Sequence, residues 1–179
     1  VIISLVTSSV MAAGLVRGAS LSSSGAHFFF MGFAFLLLQT KSITDCSLYF
    51  GTTWLVTTIV ITGVLLMVLA ANLVAIRLRT VSRFYYVPLL ASLLLLYFVP
   101  RDSILALPLG LRLAWALLVV PLPIFFAGLI FSTTFRESLN PSVAFGSNLI
   151  GATLGGFCEY LGMATGSRAH SLLVIAAYV

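Results

Sequence analysis

Charge is what this 179-residue sequence has least of. Charged side chains make up 7% of it, against about 25% in an ordinary soluble domain. So few charges cannot cover a water-facing surface, which excludes a soluble globular domain. Acidic residues number four and leave little material for acid–base chemistry. The two cysteines, Cys46 and Cys158, form no spacing pattern and fit small apolar fillers better than a disulfide or a zinc site. His27 and His170 stand alone near segment ends, with no metal-ligand spacing between them. There is no glycine fingerprint after a strand, no P-loop, no HExxH and no GxSxG. No catalytic, cofactor-binding or metal-binding residue is therefore nominated, and no cofactor is expected. The net charge of +5 comes from nine Lys/Arg spread singly or in threes with no basic run, so it does not point to nucleic acid.

Hydrophobic residues are abundant instead, at 61%, with mean hydropathy +1.19. The charges fall between apolar runs, the pattern of a chain that crosses a membrane repeatedly. The expected fold is all-α, a polytopic transmembrane helix bundle forming a single membrane domain over 1–179. A crossing helix needs about 20 apolar residues. On that ruler seven segments emerge, at 1–16, 26–47, 51–76, 84–99, 111–135, 143–163 and 169–179. The outermost two are short and begin or stop inside apolar runs, so a longer parent chain is expected. Pro121 and Pro123 predict a kink in the fifth segment with freed backbone carbonyls. Arg77, Arg79 and Arg83 crowd one connection, followed at once by Phe84, Tyr85 and Tyr86, as in an aromatic belt at the headgroups. By the positive-inside rule the Arg77–Arg83 loop is cytoplasmic, and Pro100 to Leu109 faces the opposite compartment.

Two stretches could carry more than packing. The second segment is purely apolar from Phe28 to Leu38, then runs through Gln39, Lys41 and Asp45. Lys41 and Asp45 are spaced i, i+4 and can pair on one helical face. Either this stretch is a polar site or broken helix lining a cavity, or the apolar run ends there and the residues form a surface loop. In the sixth segment Ser147, Gly151, Gly155 and Glu159 recur every four residues and share a face. Gly151 with Gly155, and Gly162 with Gly166, are small-xxx-small pairs that permit close helix approach. Asn148, Ala152 and Gly156 form a neighbouring small ridge. Glu159 inside an apolar segment should face protein, either as a staple between helices or as a second partner for Lys41. In the third segment Asn72 fits a glue between two helices.

Two blocks carry a resemblance. One runs from Gly32-Phe33 through Leu36-Leu37-Leu38-Gln39-Thr40-Lys41-Ser42-Ile43-Thr44 to Phe50-Gly51-Thr52-Thr53-Trp54-Leu55-Val56 and Ala71-Asn72-Leu73. The other holds Phe145-Gly146-Ser147-Asn148-Leu149-Ile150-Gly151-Ala152, Gly155-Gly156 and Glu159-Tyr160-Leu161. Together they resemble the multi-span membrane region of spermidine synthase-like proteins, itself similar to transporters of the major facilitator type. The resemblance implies a membrane region that is often joined to an aminopropyltransferase-like domain. No such domain lies in these residues, so it implies no synthase activity for them. The chain departs from the family in having Gln39 where a glutamate is expected.

Three functions fit these features. The first is a non-catalytic integral membrane subunit or domain, packed against partner helices in a larger assembly and embedded in the lipid bilayer. The second is a transporter-like module for a small solute. The third is the membrane anchor of a spermidine synthase-like enzyme. A dry, packed setting for Lys41, Asp45 and Glu159 favours the first, and a polar chamber open to one side favours the second.

Overall fold

A computed structural model describes residues 23–78, 83–165 and 167–178, with the side chains of 23, 24, 83 and 159–170 outside that description. Every regular element among the described residues is helical. Helix α1 spans Ser23–Phe50 and α2 spans Trp54–Arg77. A 3-10 turn at Arg83–Tyr85 leads into α3, Tyr86–Phe98, and the short α4, Arg101–Leu105. Next come α5 (Leu109–Ala114), a π-helical turn (Trp115–Val119) and α6 (Leu122–Arg136). Helices α7, Pro141–Thr165, and α8, Ser167–Tyr178, complete the described chain. Among the described residues, three stretches are long and apolar enough to cross a membrane: Gly25–Phe50, Trp54–Arg77 and Leu109–Arg136. The segment expected at 1–16 lies outside the described residues.

Local chemistry explains where the helices stop and start. Gly51 adopts φ +90°, a left-handed conformation that glycine takes without penalty. Its N–H closes α1 on the Ser47 carbonyl at 2.9 Å. Two residues later Thr53 caps α2, its hydroxyl accepting from the Val56 N–H at 3.3 Å. At the prolines of the fifth segment the regular helical ladder is interrupted. Pro121 and Pro123 lack the N–H groups that would continue a regular ladder. The chain widens into a π turn, with Val120 N bonding Trp115 O at 3.1 Å, and restarts at Leu122. The Pro121 carbonyl then takes the N–H of Ile124 at 3.0 Å.

Contacts along the helices fix their directions. Helices α1 and α7 run parallel, with Gly25 beside Ser147 and Gly155 beside Phe33. Helices α2 and α6 also run parallel, with Gly63 near Leu117 and Gly128 near Ala71. The consecutive legs α1, α2, α3, α5–α6, α7 and α8 alternate in direction. One end of the bundle holds the start of α1, the ends of α2 and α6, and the start of α7. The core among them is aliphatic and aromatic, centred on Phe28, Leu37, Leu38, Leu89, Ile124 and Val174. Phe28 meets Phe131 and Phe135 edge-on, with ring centroids 5.9 and 6.2 Å away. Ser132 Oγ donates to Asn72 Oδ1 and ties α6 to α2.

Two arginines of the α5–α6 leg bind the carbonyl ends of its neighbours. Arg112 donates to Tyr49 O at 3.2 Å near the end of α1, and its guanidinium lies 5.9 Å from the centre of the Phe50 ring. Arg136 donates to Ala75 O at 3.1 Å and to Leu78 O at 2.7 Å, at the end of α2. Helix C-termini present unpaired carbonyls and partial negative charge, so a guanidinium there satisfies both.

Candidate polar chamber and helix-packing site

Helix α1 does not break where its composition turns polar. It continues through Gln39 to Phe50, so the surface-loop alternative is set aside. The hydroxyls there satisfy themselves on the helix's own carbonyls. Thr40 Oγ1 donates to Leu37 O at 3.0 Å, Ser42 Oγ to Leu38 O at 2.8 Å, and Thr44 Oγ1 to Thr40 O at 3.0 Å. Such back-bonding lets polar residues ride inside an apolar bundle without outside partners.

Lys41, Asp45 and Tyr49 share one face of α1 through their four-residue spacing. Lys41 is 8% exposed and Asp45 7%. The ammonium of Lys41 donates to Asp45 Oδ2. The other carboxylate oxygen, Oδ1, is buried and accepts no hydrogen bond. Arg101 Nη2 stands 3.7 Å from it, a charge contact beyond hydrogen-bond reach. These groups line a cavity of about 300 Å³. Its other walls are the carbonyl end of α3, the α3–α4 break and Ser171 of α8. Pro100 makes that break polar. Val99 N bonds Leu95 O at 3.1 Å, but Pro100 has no N–H to offer the Leu96 carbonyl. The last carbonyls of α3 therefore have no intrahelical donor where α3 meets the cavity. Arg101, with 44% of its side chain exposed, and the exposed Asp102 form the outer rim.

The residues nominated from the sequence separate in space. Lys41 and Asp45 come together. Gln39, two positions before Lys41, falls on another face of α1 and is not among the residues lining the chamber. Glu159 lies outside the described side chains, as does the surrounding of Gly162, and Gly166 lies outside the described residues. The sequence reading missed Arg101 as the second cation on Asp45. Its only sequence signal was position, directly after the proline that ends α3.

The glycine ridge of α7 faces α1 at very short range. A Cβ built on Gly151 would fall on the Phe29 carbonyl, and one on Gly155 would lie 2.5 Å from the Phe33 oxygen. Ser147 Oγ is 3.5 Å from a Cβ built on Gly25. The neighbouring ridge also turns inward, since a Cβ on Gly156 would lie 2.9 Å from Leu36 Cδ2. The contact is reciprocal. Gly32 of α1, unremarked for packing in the sequence, abuts the Asn148 backbone so closely that a Cβ there would overlap the Asn148 carbonyl. Within a bilayer, apolar burial gives little drive for helix association, so backbone approach and dispersion must carry the pairing.

Comparison with protein-family models, curated proteins and solved structures found no match. The chemistry of the chamber is consequently the guide to function. Among the described residues it combines a buried, incompletely bonded carboxylate, two cationic side chains, the hydroxyl-bearing Tyr49, Tyr97 and Ser171, and the negative end of a helix. Such a set can hold a small polar solute.

Proposed function

We propose that this chain is a multi-pass membrane domain working as a transporter-like module, with the chamber beside Lys41 and Asp45 receiving a small polar solute. The observation that carries the reading is the buried Lys41–Asp45 pair lining a polar cavity beside a discontinuous helix. Ionisable groups inside a membrane bundle mark solute or ion pathways more often than packing. Broken helices whose free backbone ends face the cavity are a recurring way to build such sites. The α1–α7 pair supplies a rigid wall, and α3, short at about 20 Å for thirteen residues, leaves room at its end. The bundle end holding Arg77 and Arg136 faces the cytoplasm, which places the chamber toward the opposite compartment.

The test is reconstitution into proteoliposomes, with uptake of labelled amino acids, sugars and small amines measured against empty vesicles. At least one class should cross, and Asp45→Ala should stop it. Absence of uptake for every class would remove the transport reading.

A second reading, a membrane subunit packed against partner helices, is favoured by the outer face of α2. Leu65, Leu66, Leu69, Leu73 and Ile76 are all exposed there, so lipid or a partner helix covers them in the membrane. Purification in mild detergent with crosslinking at Leu69→Cys would reveal such a partner. A kinship with the membrane region of spermidine synthase-like proteins, including service as the anchor of such an enzyme, remains a proposal resting on the two sequence blocks. Those blocks contain Gly32, Gly151 and Gly155, the contact points of the α1–α7 pair.

A further inference from the structure

We infer that the cavity between the α1–α7 and α2–α6 pairs is a second binding site, for a small uncharged molecule with an aromatic ring and one hydroxyl. It is separate from the chamber and does not rest on the transport reading.

The cavity holds about 210 Å³ and shares no lining residue with the chamber. Along α1 its last wall residue, Phe35, stands six positions before Lys41, about 9 Å at 1.5 Å per residue. An apolar cavity of about 150 Å³ is enough for benzene, so one substituted ring fits here. The described residues that line it carry no charged side chain. An ion would enter unpaired, at a large desolvation cost. Met31, Phe35 and Phe131 supply a thioether and two aromatic rings from α1 and α6. Rings attract rings edge-on or offset, and methionine sulfur adds a favourable contact to a ring.

The polar groups are what a pure hydrocarbon would leave unserved. Asn72, Ser132, Asn148 and Tyr178 also line the cavity. Ser132 donates to Asn72 Oδ1, which leaves the two N–H donors of the Asn72 amide. Among the described residues, those donors and the whole side-chain amide of Asn148 make no hydrogen bond. The Tyr178 hydroxyl is buried and also has no partner there. Polar groups in a membrane bundle ordinarily find partners on neighbouring helices, and here helix packing does not supply them. A hydroxyl both donates and accepts, so it can serve either amide. A few polar groups in an otherwise apolar pocket are the usual composition of a small-molecule site.

The experiment follows the fluorine NMR signal of 4-fluorobenzyl alcohol as the purified chain in maltoside micelles is added, against empty micelles. Affinities are corrected for partition into the micelles. The probe should bind saturably and at least tenfold more tightly than fluorobenzene, and 4-fluorobenzoate should not bind. Asn148→Leu keeps the branching of the side chain and removes its amide. It should bring the alcohol down to the affinity of fluorobenzene without lowering the ligand-free melting temperature. Ala127→Leu, which fills the cavity from α6, should weaken both neutral ligands at least tenfold. Should that larger side chain prevent folding, Asn148→Leu still decides. No saturable binding beyond empty micelles, or equal affinity for fluorobenzene or benzoate, would overturn the inference. So would an unchanged preference for the alcohol, or a lowered melting temperature, in Asn148→Leu. Displacement of the probe by 1-octanol as readily as by benzyl alcohol would assign the cavity to a lipid chain and also overturn it. Absence of uptake in vesicles would remove the carrier and leave this site standing.

Discussion

Replacing glycines of α7 one at a time with alanine should produce a graded response set by what each new methyl meets. At Gly155 the Cβ would stand 2.5 Å from Phe33 O and 3.2 Å from Phe33 C. A comfortable C···O approach is about 3.3 Å, so the helices must part by about 0.8 Å there. A gap of that order forfeits roughly a quarter to a half of the dispersion energy of each atom pair it opens. Overpacking of this kind costs about 1–3 kcal/mol, partly offset by the roughly 0.5–1 kcal/mol that alanine gains over glycine in a helix. A net loss of about 1–2 kcal/mol is expected at Gly155, and more at Gly151, where the clash with the Phe29 carbonyl is closer. Gly156→Ala should be nearly neutral, because the obstructing Leu36 Cδ2 is the end of a flexible side chain. Gly146→Ala meets nothing within 4 Å and should stabilise slightly. The assay is reversible unfolding in mixed micelles with increasing sodium dodecyl sulfate, extrapolated linearly for each variant. If Gly151→Ala and Gly155→Ala unfold at the same detergent fraction as Gly146→Ala, the close backbone contact does not exist.

The buried ion pair should show strong coupling: Lys41→Met or Asp45→Ala alone should cost about 3–5 kcal/mol by stranding a charge, and the double variant less than either. A double-mutant cycle on unfolding free energy checks this, and additive losses would mean the two residues do not interact. Arg136→Gln should remove charge-assisted bonds to Ala75 O and Leu78 O and destabilise by about 1.5–3 kcal/mol, read as a lowered melting temperature. For orientation, Leu139→Cys, 96% exposed between α6 and α7, should react with an impermeant thiol reagent only after cells are opened. Ser103→Cys should react in intact cells, both in a background lacking Cys46 and Cys158. Reaction of Leu139→Cys from outside would reverse the assignment.

The helical class was legible because the apolar runs match the thickness of hydrocarbon, and no soluble surface can be made from so few charges. The stretch after Leu38 was ambiguous for a physical reason. Thr40, Ser42 and Thr44 look like loop residues when counted for polarity, yet their hydroxyls can serve the helix itself. Composition does not record that option. The i, i+4 spacing gave Lys41 and Asp45 as a pair, because both lie on one helix. Arg101 was invisible as a partner, since its approach depends on how α3 ends and how α1 stands beside it. Gly151 and Gly155 were recognisable from spacing on their own helix. Gly32 was not, because a lone glycine in an apolar run gains meaning only from the backbone placed against it. Pro121 and Pro123 announced a disturbance but not its form, a π turn followed by a fresh helix start.

Arg112 and Arg136 are separated by roughly 36 Å along one leg at about 1.5 Å per residue, and each is bonded to the carbonyl end of a different neighbouring helix. For a leg that crosses a bilayer, that spacing sets an upper limit on the membrane it can span. Both arginines reach the headgroup regions only where the hydrocarbon is no thicker than about 36 Å. In a thicker bilayer one of them is drawn toward lipid, and the bundle must thin the membrane around it or give up a bond, at a fraction of a kcal/mol per Å. Hydrocarbon of about 27–33 Å falls within that span, so such a leg fits thin and sterol-rich membranes alike and is strained only beyond them.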